Sequence, residues 1–250
     1  MNAIIVTGGA RRIGKAIVRH FAKAGWDVGI HCRHSNEEAE ELIHTLKAEG
    51  CTGSLVPLSA DFQKSAQVKD LVPTATEKFG KPVTALVNNA SLFEEDDIHS
   101  LSQESWDAHM DVNLKAPALL SQAFFKQLPD DQTGNIINII DQRVWRLNPQ
   151  FMSYTTSKSA LWTLTRTMAQ AMAPRIRVNA IGPGPVLASI HQSKESFADE
   201  AANVPLGTGP TPEEIARTID FILNTPSLTG QMLALDGGQH LAWQTPDIPV

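Results

Sequence analysis

The chain has 250 residues, 42% of them hydrophobic, and a formal charge of -6. That length and apolar fraction suffice for one large α/β domain over residues 1–250, and the acidic balance excludes the basic stripe of a nucleic-acid or anionic-membrane surface. No apolar run approaches the roughly 18 residues of a membrane span, and the first twenty residues carry Arg11, Arg12, Lys15 and Arg19 without a signal-peptide core, so a cytoplasmic protein is expected. The two cysteines, Cys32 and Cys51, stand outside any CxxC and read as reduced thiols, and the eight histidines form no ligand cluster, so no metal is expected.

The first element is a short apolar run, Ala3 to Val6, that stops at Thr7-Gly8-Gly9-Ala10-Arg11-Arg12-Ile13-Gly14 and is followed by the helical stripe Ile17, Val18, Phe21, Ala22. Strand, glycine-rich turn and helix in that order suit a phosphate, because glycine lets the backbone approach it and the helix N-terminus favours an anion. Asp27 to His31 reads as a second strand, and at its end stand Arg33, His34 and Ser35 where an NAD site wants an acid for the ribose hydroxyls. Positive charge there suits a 2'-phosphate and points to NADPH. Arg33 as a solvated loop residue is the alternative.

Asn36 to Glu49 has a helical face of Ala39, Leu42, Ile43 and Leu46, and Ser54 to Leu58 reads as the third strand. Asp61, just beyond, is placed for an adenine edge or for a helix cap. Lys64 to Phe79 is expected as helix, and Val83 to Val87 as the fourth strand, running into Asn88-Asn89-Ala90-Ser91-Leu92-Phe93. Trp106 to Leu128 reads as one long helix bent at Pro117, with Asn113 on or beside its apolar face.

Asn135 to Ile140 is a fifth apolar strand ending at Asp141, and ligands of open parallel sheets gather at such ends. The next helix carries the chain's only tyrosine, Tyr154, with Lys158 four residues on. That spacing places phenol and ammonium on one helix face, where the charge is expected to lower the phenol pKa toward neutrality. Taken alone, the pair also describes an ordinary surface contact. Arg177 to Ile181 is the sixth strand, ending at Gly182-Pro183-Gly184-Pro185; residues 185–210 read as a substrate lid with short helical pieces. Thr211-Pro212-Glu213-Glu214 starts a helix to about Asn224, and Met232 to Leu235 is the last strand.

Together these motifs resemble the short-chain dehydrogenase/reductase family over residues 3–240. The resemblance implies a Rossmann-type, doubly wound α/β fold with a mostly parallel seven-stranded sheet, and a homotetramer. It also implies Tyr154 as proton donor, Lys158 on the nicotinamide ribose, and Asn113 holding a relay water. The cofactor set becomes Gly8, Arg12, Ile13, Gly14, Arg33, His34, Ser35, Asp61, Phe62, Asn89, Ala90, Ser91, Lys158, Pro183 and Gly184. Most members carry glycine where this chain has Arg12 and Ser91, and serine where it has Asp141. Those three changes resemble the pteridine reductase branch, in which the pterin is sandwiched between nicotinamide and an aromatic ring at the position of Phe93. Arg12, Ser91, Phe93, Asp141 and Tyr154 are then the substrate contacts.

The implied activity is NADPH-dependent reduction of a dihydropterin, such as dihydromonapterin, dihydrobiopterin or dihydrofolate, to the tetrahydro level. Two alternatives stand beside it: an ordinary ketone reductase in which Asp141 replaces the serine, and a catalytically silent NADPH-binding sensor.

Overall fold

The computed structural model describes residues 2–189 and 192–243, so positions 1, 190, 191 and 244–250 of the expected domain, two of them inside the expected lid, lie outside the described residues. Seven strands form one sheet: β1 (Ala3–Val6), β2 (Asp27–Cys32), β3 (Leu55–Ser59), β4 (Ala85–Asn88), β5 (Gly134–Ile139), β6 (Ile176–Pro183) and β7 (Met232–Leu235). Their order is β3-β2-β1-β4-β5-β6-β7 and every pairing is parallel, where the sequence predicts a mostly parallel sheet.

Parallel strands need crossovers, and helices supply them on both faces. α1 (Arg12–Lys23), α2 (Asn36–Ala48) and α8 (Pro212–Leu223) bury their apolar stripes against Ile4, Val6, Val28 and Ile30. α3 (Ser65–Phe79), α5 (Ala116–Gln127) and α6 (Met152–Met172) cover Ile5, Leu86, Ile136 and Val178 on the other face. Successive strand residues point to opposite faces, so Ile4 and Ile5 belong to different cores.

The long helix expected over 106–128 is one continuous helical run with a π-helical segment inside it: α4 (Gln103–Met110), Asp111–Lys115, and α5. Pro117 stands directly after the π segment, in the first turn of α5. The extra residue per turn in the π segment brings Asn113 to a fully buried position. Within 185–210, α7 (Lys194–Ala202) forms behind a Ser193 cap. The predicted start of α8 is a complete capping box: Thr211 accepts from the Glu214 N–H, and Glu214 accepts from the Thr211 N–H.

The strand order reverses between β1 and β4, so the turns after these two strands open a crevice at the carboxyl edge of the sheet. A cleft of about 890 Å³ lies there.

Candidate active site

The turn after β1 supplies one wall of the cleft. Gly8 has φ +62°, and a Cβ on Gly14 would stand 2.0 Å from the Gly8 carbonyl oxygen, so no side chain fits at the helix start. Thr7 and Asn89 lock this turn to the end of β4: the Thr7 hydroxyl accepts from the N–H groups of Asn89 and Ala90 (2.8 and 2.9 Å), and the Asn89 amide donates to the Thr7 carbonyl at 2.8 Å.

Arg12 has φ +51°. That left-handed conformation is the physical reason glycine suits the position, and arginine holds it at a cost of about 1–2 kcal/mol. The Arg12 guanidinium donates to the carbonyls of Ala188 (2.8 Å) and Leu187 (3.1 Å), tying the glycine turn to the segment after β6.

At the end of β5, the two carboxylate oxygens of Asp141 are both engaged. Oδ1 accepts from the Arg143 N–H and Oδ2 from the Tyr154 hydroxyl, each at 2.8 Å. Burial pushes the Asp141 carboxyl above the usual carboxylate range. The expected lowering of the Tyr154 pKa is corrected here: burial, followed by the adjacent Asp141 charge, raises the phenol well above its ordinary value. Lys158 does not dominate, because its ammonium donates to the Ile139 carbonyl at 2.8 Å and lies 5.7 Å from the centre of the Tyr154 ring. Burial depresses the Lys158 pKa to about 8, against the opposing pull of Asp141. The site is a phenol hydrogen-bonded to a protonatable carboxyl, with a buried cation beside it.

The loop after β4 forms the facing wall. The Phe93 ring stacks on Phe151 with centres 4.4 Å apart and meets Tyr154 edge-on at 4.7 Å, while the Arg143 guanidinium lies 5.2 Å over Phe151. Phe151 holds φ +55° immediately before α6. The α6 N-terminus has no cap of its own; Asp96 supplies one, its carboxylate accepting from Ser153 N–H at 3.0 Å and its carbonyl from Met152 N–H at 3.2 Å.

The Asn113 side chain has a full set of partners: Oδ1 accepts from Leu92 N–H (2.8 Å) and the Ser91 hydroxyl (3.2 Å), and Nδ2 donates to the Leu92 carbonyl and the Ser157 hydroxyl (both 3.0 Å). It is a bracket between the loop and α6, and its side chain has no place left for a water.

Of the residues singled out in the sequence, Gly8, Arg12, Ile13, Gly14, Asn89, Ala90, Ser91, Phe93, Asp141, Tyr154, Lys158, Pro183 and Gly184 line one cleft. Arg33 and His34 are exposed beyond the end of β2, and the Ser35 side chain makes no cap hydrogen bond to α2. Asp61 accepts from Gln63 N–H at 3.1 Å, a local turn contact. The Phe62 ring is buried and stacked on His31 at 4.1 Å, so the ring itself is a packing group. Sequence reasoning missed Arg11, Arg143 and Phe151, which also line the cleft; Arg11 stood in the turn and Phe151 three residues before Tyr154, so position was available as a signal.

His31 was also missed in its structural role. Its Nδ1 accepts from Gly8 N–H at 3.1 Å, and its Nε2 lies 3.1 Å from the Ala60 carbonyl, so the ring is neutral with its proton on Nε2. Burial lowers its pKa to about 4.

A dinucleotide fits this cleft chemically: the glycine turn leaves no room for a Cβ where phosphates approach the α1 N-terminus, and Arg11 and Arg12 supply positive charge beside it. The comparisons agree with that geometry. A family model described as short chain dehydrogenase matches residues 2–199, and the chain belongs to that family of oxidoreductases. A 3-oxoacyl-acyl-carrier-protein reductase of Thermotoga maritima is 33% identical over 239 residues, covering 94% of this chain and 96% of that protein. The crystal structure of FolM alternative dihydrofolate reductase 1 from Brucella canis, complexed with NADP, superimposes with a TM-score of 0.95 at 50% identity, covering 99% of this chain and 97% of that one. The Brucella suis counterpart, also in complex with NADP, gives 0.95 at 51% identity, with 99% and 98% covered.

Proposed function

We propose that the chain is an NADPH-dependent reductase that takes a dihydropterin to the tetrahydro level. The observation that carries this reading is the 2.8 Å hydrogen bond from the Tyr154 hydroxyl to Asp141, made at the edge of the Phe93 ring. A ketone oxygen becoming an alkoxide wants a hydroxyl donor, whereas a reduced C=N bond takes hydride at carbon and a proton at nitrogen. A carboxyl whose pKa is raised by burial, coupled to a phenol, is a proton store suited to nitrogen. The half-identical relatives named as alternative dihydrofolate reductases, both solved with NADP, support the same substrate class and cofactor.

NADPH supplies the hydride. Gly8, Ile13, Gly14, Asn89, Ala90, Pro183 and Gly184 bind and orient it, Arg33, His34 and Ser35 take the 2'-phosphate, and Asp61 with the backbone of Phe62 takes the adenine end. Lys158 holds the ribose and keeps positive charge near Tyr154. Arg12 and Ser91 bind the polar edge of the substrate, Phe93 stacks on its ring, and Asn113 fixes the loop that presents Phe93. Residues 185–210 act as the lid, latched by Arg12 on the Leu187 and Ala188 carbonyls. The working form is a cytoplasmic homotetramer.

The likeness to a 3-oxoacyl-acyl-carrier-protein reductase favours a second reading, a carbonyl reductase. NADPH oxidation, followed by absorbance, separates the two with 7,8-dihydromonapterin, 7,8-dihydrobiopterin and dihydrofolate beside a panel of simple ketones and a 3-oxoacyl thioester. Turnover of a dihydropterin alone is expected. Turnover of ketones or thioesters alone sinks the assignment built on Asp141.

A further inference from the structure

His109 stands on the last turn of α4, fully buried, and the chemistry above gives it no task. Its Nδ1 lies 2.8 Å from the Ser105 carbonyl one turn back, and its Nε2 lies 3.2 Å from the N–H of Glu94. A carbonyl oxygen only accepts and a backbone amide only donates, so the ring is neutral, with the proton on Nδ1 and Nε2 accepting.

Four residues further along the same helical run, Asn113 grips both the N–H and the carbonyl of Leu92. The two side chains therefore hold the backbone on either side of Phe93, one at Leu92 and one at Glu94. Residues 89–97 contain no helix or strand, so side-chain and loop contacts set the course of that backbone. Burying an imidazole costs desolvation that an apolar side chain of similar size would avoid, and buried polar groups that are fully paired specify one arrangement of their surroundings.

We propose that His109 is a positioning residue for the substrate: by holding the Glu94 N–H it sets the angle of the Phe93 ring against Tyr154. The inference rests on the reading of Phe93 as the surface on which the substrate packs. Loss of the His109 acceptor removes one hold on the backbone after Phe93 while Asn113 still holds the backbone before it. The ring then shifts against Phe151 and Tyr154, and substrate affinity falls with little effect on the cofactor side of the cleft.

Two full-length variants divide the two ring nitrogens between them. In His109→Asn the amide reaches the Nδ1 position and keeps the bond to Ser105 but has nothing at Nε2. In His109→Gln the amide oxygen reaches the Nε2 position and accepts from Glu94. Each is assayed with whichever compound the wild type reduces, and NADPH binding is followed by nicotinamide fluorescence. His109→Asn is expected to raise KM about tenfold with kcat and NADPH affinity within about threefold, and His109→Gln to bring KM back to within about threefold of wild type. An unchanged KM in His109→Asn, a His109→Gln no better than His109→Asn, or NADPH affinity falling in parallel with KM would each overturn the proposal. The wild-type panel tests the pterin assignment separately: if only ketones react that assignment falls, and the Asn and Gln variants are compared on the ketone.

Discussion

Two charged neighbours of different reach stand beside the Tyr154 phenol. Lys158 shares its helix face, as the four-residue spacing dictates, yet its ammonium is bound to the Ile139 carbonyl, and the nearest charge to the phenol is Asp141. Spacing along a helix reveals which residues share a face; it does not reveal what arrives from a strand end thirteen positions earlier. The phenol thus keeps its proton in the free enzyme, hydrogen-bonded to the carboxylate. Tyr154→Phe removes the hydroxyl with almost no change of shape, so turnover is expected to fall by about 10²–10⁴-fold while NADPH affinity stays within twofold or so. Steady-state assays paired with cofactor titration check this, and retained turnover removes Tyr154 from the reaction. Arg33 tests the cofactor reading. It is exposed beyond β2, where a 2'-phosphate is the one cofactor feature that distinguishes NADPH from NADH. Arg33→Ala is expected to lower the NADPH-over-NADH ratio of kcat/KM about tenfold or more; an unchanged ratio shows that the phosphate is held elsewhere.

At the level of elements, legibility divides by range. The buried faces of α1 and α2 and the capping box of α8 were readable because each rests on residues within a turn or two of one another. The π segment was not, since its extra residue per turn is decided by how Asn113 meets the loop after β4 and α6, and Pro117 was the only local hint. The cap of α6 was equally invisible: Asp96 reaches Ser153 across 57 positions of sequence. This cap matters because Phe151, the residue that precedes the helix, offers no side-chain oxygen. Asp96→Ala leaves the Ser153 N–H unpaired inside the protein, while the backbone carbonyl of residue 96 still accepts from Met152, and is expected to cost about 1–2 kcal/mol in urea unfolding. Because Tyr154 follows Ser153 directly, kcat is expected to fall as well, and Asp96→Asn, which keeps an accepting oxygen, to recover most of both. Equal damage from the two substitutions would mean that the carboxylate charge, not the cap, is what counts.

Across the whole molecule, the three strands that carry the expected nucleotide end of the cleft are joined at one imidazole. His31 lies one residue before the end of β2, accepts from Gly8 after β1, faces the Ala60 carbonyl after β3, and stacks on Phe62. The Gly8 contact requires the neutral ring, since a proton on Nδ1 would meet the Gly8 N–H donor to donor, whereas Nε2 donates to Ala60 in either state. The pH dependence follows in sign and in range. The folded pKa is about 4, below the 6.5 of the exposed side chain, so the folded state binds fewer protons than the unfolded state between those values. His31 therefore leaves stability untouched above about pH 6.5, subtracts from it progressively as the pH falls toward 4, and reaches its full penalty below that. The size is of order 3 kcal/mol, from roughly two and a half pKa units. His31→Gln has no titrating ring, so urea unfolding of the two proteins from pH 7.5 to 4 is expected to give curves that converge as the pH drops, the wild type losing its advantage. Curves that stay parallel would show that the fold does not hold this ring neutral. The joint between β1, β2 and β3 would then have to rest on the backbone bonds from Gly9 N–H to the His31 carbonyl and from Ala60 N–H to the Cys32 carbonyl, which carry no proton switch.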